Sequence, residues 1–164
     1  MGIFRQATVF FAVLSMSAFA KDGVTKYKGA WFEIEYPSAF AVEPSLTSQT
    51  MPGEYDSVFF AAPDESVRFY IFSPQWGGEN RDINVRKGEH AAVTDKSETK
   101  DGTTRRYFTI KPKGKGMTRS YVETTNADKT VRWVIGIEYA DQQAYDKYKS
   151  AYLKFKKSLK QFAD

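Results

Sequence analysis

The chain contains no cysteine, and His90 is its only histidine. Without a thiol the protein can form neither a disulfide nor a thiolate metal site, and it has no cysteine nucleophile. One histidine is also too little for a typical zinc site, which takes its ligands mainly from Cys and His. These two shortages exclude thiol chemistry, and we predict that the protein holds no metal.

Patterns typical of hydrolytic catalysis are scarce as well. His90 follows Glu89 near the start of a predicted strand, and no G-x-S-x-G turn exposes a serine. A single histidine without a nucleophile and a carboxylate positioned beside it lacks the geometry of a catalytic triad. We therefore interpret His90 as an ordinary strand or loop residue. Glu33 and Glu35 stand about 7 Å apart on one strand, which could suit glycoside chemistry. Alternating acids on an outward face more commonly keep a sheet solvated, and we predict no enzyme activity, no catalytic residue and no cofactor.

Long apolar runs occur only in residues 1–20. This stretch has a short basic start at Arg5, an apolar centre over residues 9–14, and small residues at Ala18 and Ala20. The order is typical of a secretory signal peptide, and the apolar centre is shorter than the roughly 20 residues that span a bilayer. We therefore predict cleavage after Ala20, a periplasmic or secreted protein, and a single domain over residues 21–164 without a transmembrane segment.

Excess charge of one sign is small and spread along the chain. Lys and Arg number 24 against 20 Asp and Glu, which gives a formal net charge of +4. A nucleic-acid-binding domain concentrates its basic residues on one face, so this distribution argues against such a partner. A protein partner in the cell envelope or a small ligand remains as the expected class of partner.

The remaining sequence is rich in short alternating segments that are typical of strands with one buried face. Predicted strands cover Trp31–Tyr36, Ser57–Ala61, Ser66–Ser73, Ala91–Thr99, Thr104–Lys111, Met117–Thr125 and Thr130–Tyr139. Several of the links between them are short enough for hairpins, so the pattern predicts an antiparallel meander of about six to seven strands.

From residue 140 to residue 162 the apolar period changes to that of a helix. Large apolar residues recur every three or four positions, at Tyr145, Tyr148, Tyr152, Phe155, Leu159 and Phe162. Asp141 is placed to cap the first turn. Such a basic amphipathic helix could lie on a membrane surface, but we expect it to cover the sheet. Strands followed by a long C-terminal helix predict an α+β sandwich.

Two segments resemble a known family. "WFEIEYPSAFAVEP" and the closing "DQQAYDKYKSAYLKFKKSLKQF" are similar to an early strand and the final helix of PsbP-like proteins, an α/β/α sandwich group that includes bacterial DcrB-type envelope proteins. The resemblance implies a PsbP-like sandwich and an envelope setting. Relatives place a helix after the third strand, whereas Pro74–Glu89 lacks helical periodicity here. Members of the group have unrelated functions, so the fold alone does not transfer one.

Arginine and tyrosine alternate along several predicted strands. The candidate binding residues are Arg68, Tyr70, Arg105, Tyr107, Arg119, Tyr121 and Arg132. If the strands present matching faces, these side chains form one surface suited to a protein or an anionic ligand, since Tyr and Arg are favoured at contacts. The alternative is cross-strand packing of arginine stems on tyrosine rings. A slip of one residue would move a strand's set to the other face.

Trp76 lies in the long irregular stretch Pro74–Glu89, and loops of this length are usually functional or disordered. We interpret it as an apolar plug on the sheet edge or a contact residue, and we favour the plug because burying a ring of this size is stabilising.

Two functions follow from these patterns. The first is an exported, non-catalytic envelope protein that binds a partner or assists assembly through the arginine–tyrosine face and the Trp76 loop. The second is a soluble periplasmic carrier of a small apolar or anionic ligand, with a pocket between sheet and helix lined by Trp133, Tyr148 and Tyr152. A carrier should keep an apolar cavity, whereas a binding module should fill its core and expose an aromatic patch.

Overall fold

The computed structural model describes residues 23–162, without the side chains of residues 92–94. Within this range the elements are β1 (Val24–Lys28), β2 (Phe32–Pro37), β3 (Ala41–Pro44), β4 (Ser57–Ala61), β5 (Val67–Phe72), β6 (Glu89–Lys100), β7 (Thr103–Pro112), β8 (Thr118–Thr125), β9 (Arg132–Tyr139), α1 (Gln142–Ser158) and β10 (Lys160–Gln161). A single 3₁₀ turn at Arg81–Ile83 interrupts the long connection between β5 and β6.

Seven strands form the large sheet, in the order β3-β4-β5-β9-β8-β7-β6. Each neighbouring pair is antiparallel, which confirms the predicted α+β class. Strands β6 to β9 form a meander whose last strand returns beside β5. The hairpin between β6 and β7 turns on Asp101 (φ 50°) and Gly102 (φ 74°), both in the left-handed region that two-residue hairpin loops require.

A second sheet of three strands, β1-β2-β10, was not predicted. It takes the strand around Phe32 and Ile34 out of the meander and packs it beside α1. The two flanking strands are short and mostly exposed, so their residues show no alternation that a sequence pattern could reveal. Phe32 and Ile34 of β2 are fully buried in the core that they share with the helix.

The helix covers one face of the large sheet, as its apolar stripe predicted. Asp141 caps the first turn by accepting a hydrogen bond from the backbone N–H of Ala144 at 2.8 Å. Tyr152 and Phe155 are buried against the sheet. The helix ends at Ser158 and not at residue 162, because the chain becomes extended at Leu159 and then pairs with β2.

The opposite face of the large sheet is also buried, because the long connections cover it. Its apolar core consists of Phe59, Tyr70, Phe72, Phe108, Ile110, Tyr121 and Val134. Leu46, from the connection before β4, and Ile83, from the 3₁₀ turn, pack onto this core. Apart from the 3₁₀ turn, the connection between β5 and β6 is irregular, as the lack of helical periodicity in Pro74–Glu89 indicated.

Candidate functional site

The strand register decides which of the predicted binding residues share a face. Phe108 lies opposite Tyr121, and Ile110 lies opposite Arg119. Since side chains alternate along a strand, the neighbours of Phe108 and Ile110 in β7 point to the other side. The structure therefore brings together Arg68, Tyr70, Arg119, Tyr121 and Arg132, and it places Arg105 and Tyr107 on the opposite face. Five of the seven predicted residues therefore share one face, and the prediction of a single surface that contains all seven is wrong.

The shared face is covered at its centre and not open to solvent. Tyr70 is 0% exposed, Arg119 1% and Tyr121 2%. The connection from Pro74 to Glu89 lies across them and supplies most of their polar partners. The buried groups hold this connection in place, and the surface that this side of the sheet offers to a partner is the outside of the connection.

Arg119 is the principal anchor of the connection. Its Nε donates to Glu89 Oε1 at 2.8 Å and its Nη2 donates to Glu89 Oε2 at 2.5 Å. The same guanidinium donates to the backbone carbonyls of Asp82 at 3.0 Å and Asn84 at 2.8 Å. Burial, the largest effect, lowers the pKa of Arg119, but the hydrogen bond to Glu89 acts together with the Tyr121 hydroxyl and the Glu89 charge to outweigh it, so the pKa of Arg119 is raised. Arg119 therefore remains a cation, and most of its hydrogen bonds are made to the connection.

A chain of buried hydrogen bonds continues from this anchor towards β5. Tyr121 accepts from Arg119 Nη1 at 3.2 Å and donates to Glu138 Oε1 at 2.8 Å. The other oxygen of Glu138 accepts from Arg68 Nε at 3.0 Å. Burial and the Glu138 charge both raise the pKa of the Tyr121 hydroxyl, so it stays a neutral donor. Each charged group in this series of hydrogen bonds has a partner of opposite charge.

A second cluster holds the 3₁₀ turn. The carboxylate of Asp82 accepts from Ser45 at 2.8 Å and from Ser57 at 2.7 Å, and the Tyr70 hydroxyl lies 3.0 Å away. Tyr70 also lies 2.8 Å from Asn80 Oδ1. Burial, followed by the charge of Asp82, raises the pKa of Tyr70 well above its usual value. The turn is thus fastened to β4 and β5.

The remaining predicted residues have separate surroundings. Arg132 pairs with Glu123 and donates to the carbonyl of Gly78 at 2.9 Å, so it also holds the connection. Tyr107 donates to Glu98 at 2.6 Å on the other face. Arg105 is exposed there. These placements leave the binding role of all seven residues a prediction.

Trp76 is 56% exposed, so the interpretation of its ring as a buried plug is wrong. The backbone around it is nevertheless anchored, since Gly77 donates to the carbonyl of Thr130 at 2.9 Å and Pro74 is buried. The Trp76 ring is thus exposed on a segment whose backbone is held in place next to it.

Trp76 borders a groove of about 260 Å³ between the connection before β4 and the connection after β5. Its lining residues include Leu46, Thr50, Asp56, Phe72, Glu79 and Arg81. At 8% exposure Asp56 is buried, and its Oδ1 has no hydrogen-bond partner. Burial raises the pKa of this carboxyl, and a hydrogen bond from Ser48 opposes the shift. The groove is therefore lined by both a buried carboxylate with an unpartnered oxygen and an exposed indole.

Sequence reasoning missed Asp56 and Glu138. Nothing in the local pattern distinguishes Asp56 from an ordinary acid just before a strand. Glu138 shares a face of β9 with Val134 and Gly136, and the apolar character of that face was the available signal that the acid is buried.

The predicted carrier pocket is filled by aromatic rings. Tyr152 and Phe155 contact Phe69 with ring centroids 5.4 and 5.2 Å apart, respectively. Tyr148 packs on Phe40 at 5.5 Å. Trp133 is half-buried outside this cluster. Tyr148 and Tyr152 therefore contribute to packing, and Trp133 does not join them in one cluster.

The other candidates for chemistry have ordinary roles. His90 is exposed in β6, opposite Lys111. Glu33 pairs with Lys26 at 2.8 Å across the small sheet. In the part of the chain that the structure describes, no group of three or more His, Asp or Glu side chains is arranged to hold a metal ion.

Comparison with known proteins supports the architecture. No protein-family model matches the chain, and no curated protein matches it. Among solved structures, the solution structure of cyanobacterial PsbP (CyanoP) from Synechocystis sp. PCC 6803 superposes with a TM-score of 0.51 at 12% identity. The match covers 92% of this chain and 99% of that one. At this identity the likeness confirms the PsbP-like fold alone, and the relation to DcrB-type envelope proteins stays a prediction.

Proposed function

We propose that this chain is an exported, non-catalytic accessory protein of the cell envelope that docks a partner protein at the Trp76 groove. One observation carries the proposal: a tryptophan is 56% exposed on a segment whose backbone is anchored to the sheet. Tryptophan is among the residues most enriched at contact hot spots. Leaving so large an apolar ring exposed loses about 2 kcal/mol or more of the free energy that its burial would contribute, and a bound partner would recover this free energy.

The anchoring of the segment supports docking further. Arg132 holds the carbonyl of Gly78, and Arg119 holds those of Asp82 and Asn84. A loop held in this way loses little conformational entropy when a partner binds, and preorganisation of this kind strengthens affinity. The buried arginine–tyrosine network thus serves the docking surface from beneath.

The export part of the proposal rests on the pattern of residues 1–20, which lie outside the described residues. A basic start, an apolar centre and small residues before Lys21 favour translocation and cleavage. No helix between residues 23 and 162 is both long enough and apolar enough to cross a membrane.

The docking proposal is tested by crosslinking and affinity capture in the cell that makes the protein. The wild type is compared with Trp76→Ala and with Leu153→Ala, because Leu153 is a similarly exposed apolar residue (50%) on the helix. We expect one specific protein to be captured by the wild type and by Leu153→Ala and lost with Trp76→Ala. Equal capture by all three forms, or capture of no specific protein, would contradict the proposal.

A further inference from the structure

We propose that the Trp76 groove receives one positively charged side chain, a lysine or an arginine of the partner, with the Asp56 carboxylate as its counter-ion. This inference rests on the proposed docking function and names the chemistry of the contact. The motivating observation is the unpartnered Oδ1 of Asp56 in a side chain that is more than nine-tenths buried.

Asp56 differs in this respect from the buried Glu138 and the half-buried Asp82 on the same side of the sheet. Glu138 is paired with Arg68 and receives the Tyr121 hydroxyl. Asp82 accepts from two serines. Buried charges in folded proteins are ordinarily paired or hydrogen-bonded, because desolvating an isolated charge is costly. A carboxylate that lines a groove and has no cation beside it is suited to a cation that arrives with a partner.

The charge around the groove is complementary to such a cation. Glu79 and Arg81 line it and pair with one another at 3.5 Å, so their charges cancel. No lysine is among the lining residues, although the chain as a whole carries a net charge of +4. Asp56 therefore leaves the groove locally negative on a basic protein. This charge attracts a lysine or an arginine of a partner and repels an acidic side chain.

The walls of the groove suit the rest of a basic side chain. Trp76 offers an indole face, which binds cations better than the other aromatic rings do. Leu46 and Phe72 can contact the aliphatic stem, as such stems commonly lie along apolar surface. The volume of about 260 Å³ is below the roughly 300–1,000 Å³ of pockets that enclose drug-sized ligands, so one side chain fits better than a whole small molecule.

The test titrates the protein of residues 21–164 with three acetylated and amidated peptides, Gly-Lys-Gly, Gly-Arg-Gly and Gly-Gln-Gly. Binding is followed by the NMR signal of the Trp76 indole N–H, assigned by its loss in Trp76→Phe. We expect saturable shifts with the lysine and arginine peptides and none with the glutamine peptide. Asp56→Asn should weaken binding about tenfold or more, since hydrogen bonds to charged groups are worth at least that factor.

Asp64→Asn is the matched control, because Asp64 is a carboxylate paired with Lys147 of the helix, outside the groove. The affinity of the Asp64→Asn variant for the basic peptides should equal that of the wild type. Equal binding of the glutamine peptide, unchanged binding by Asp56→Asn, or no shift with any peptide would overturn the inference. If partner capture is lost with Trp76→Ala but kept with Asp56→Asn, the groove docks a partner without using a cation. That result removes this inference and leaves the proposed function standing.

Discussion

Replacing Arg119 by methionine should destabilise the protein far more than the same change at Arg106. Both arginines lie on the inner strands of the meander and pair with a carboxylate of β6, at 2.5 Å in each case. They differ in surroundings, since the side chain of Arg119 is 1% exposed and that of Arg106 is 42% exposed. The comparison therefore isolates what burial adds to an ion pair of similar geometry.

The magnitude follows from what each change leaves behind. Arg119→Met leaves the Glu89 carboxylate without its cation and removes the donors to the carbonyls of Asp82 and Asn84. Removing one partner of a buried pair costs about 3–5 kcal/mol. Exposed pairs contribute about 0–1 kcal/mol, so Arg106→Met should fall in that range.

Urea denaturation followed by circular dichroism measures the difference. With an m-value of about 2 kcal/mol per M, Arg119→Met should lower the midpoint by about 1.5–2.5 M. Hydrogen exchange should also show lost protection of the carbonyl-anchored segment before Glu89. A loss below about 1 kcal/mol, or a loss equal to that of Arg106→Met, would refute the assignment of Arg119 as the anchor.

Three further predictions concern other parts of the chain. Asp56→Asn should raise the free energy of unfolding at pH 7 by about 1 kcal/mol, because it removes an unpaired buried carboxylate. Because burial raises the pKa of Asp56, the ionised carboxylate destabilises the folded wild type at pH values above that pKa, and protonation at lower pH removes this cost. The gain in free energy of unfolding from Asp56→Asn should therefore shrink as pH falls, and a gain that is independent of pH in urea titrations would contradict this. Gly136→Ala should lower the free energy of unfolding by about 1–3 kcal/mol, since the added Cβ would lie 2.2 Å from the Tyr121 ring. Gly114→Ala, with open space around it, should change it by no more than about 0.5 kcal/mol; thermal melts of both variants measure the difference, and equal losses would contradict the reasoning. Mass spectrometry of the protein recovered from its producing cell should show a mature chain that begins at Lys21, and an intact residue 1–20 segment would contradict cleavage.

Much of the architecture followed from periodicity alone. Strict alternation marks β2 and β9, and spacings of three and four mark α1, because each pattern reflects one buried face. The PsbP-like sandwich was predicted on those elements and on two short resembling segments. Strands β1, β3 and β10 escaped prediction, since strands of two to five residues with exposed side chains carry too little contrast between their faces.

The candidate site was less predictable. The Arg119 and Tyr121 pair was recognised as one set, but its burial was not, because burial depends on a connection that lies across the sheet. Trp76 was identified as a residue of interest and assigned the wrong degree of exposure. Asp56 was not identified, since its lack of a partner is a property of three-dimensional packing and leaves no trace in the local sequence.

The amino-acid sequence by itself determined the secondary structure of the meander, the amphipathic helix and the shortage of catalytic groups. These depend on residue type and on spacing along one segment. Only the tertiary structure decided which face each strand presents, which charges are paired and where the Trp76 ring lies. The physical reason is that register and loop coverage depend on contacts between distant segments, and a slip of one residue inverts a strand's faces without changing its pattern.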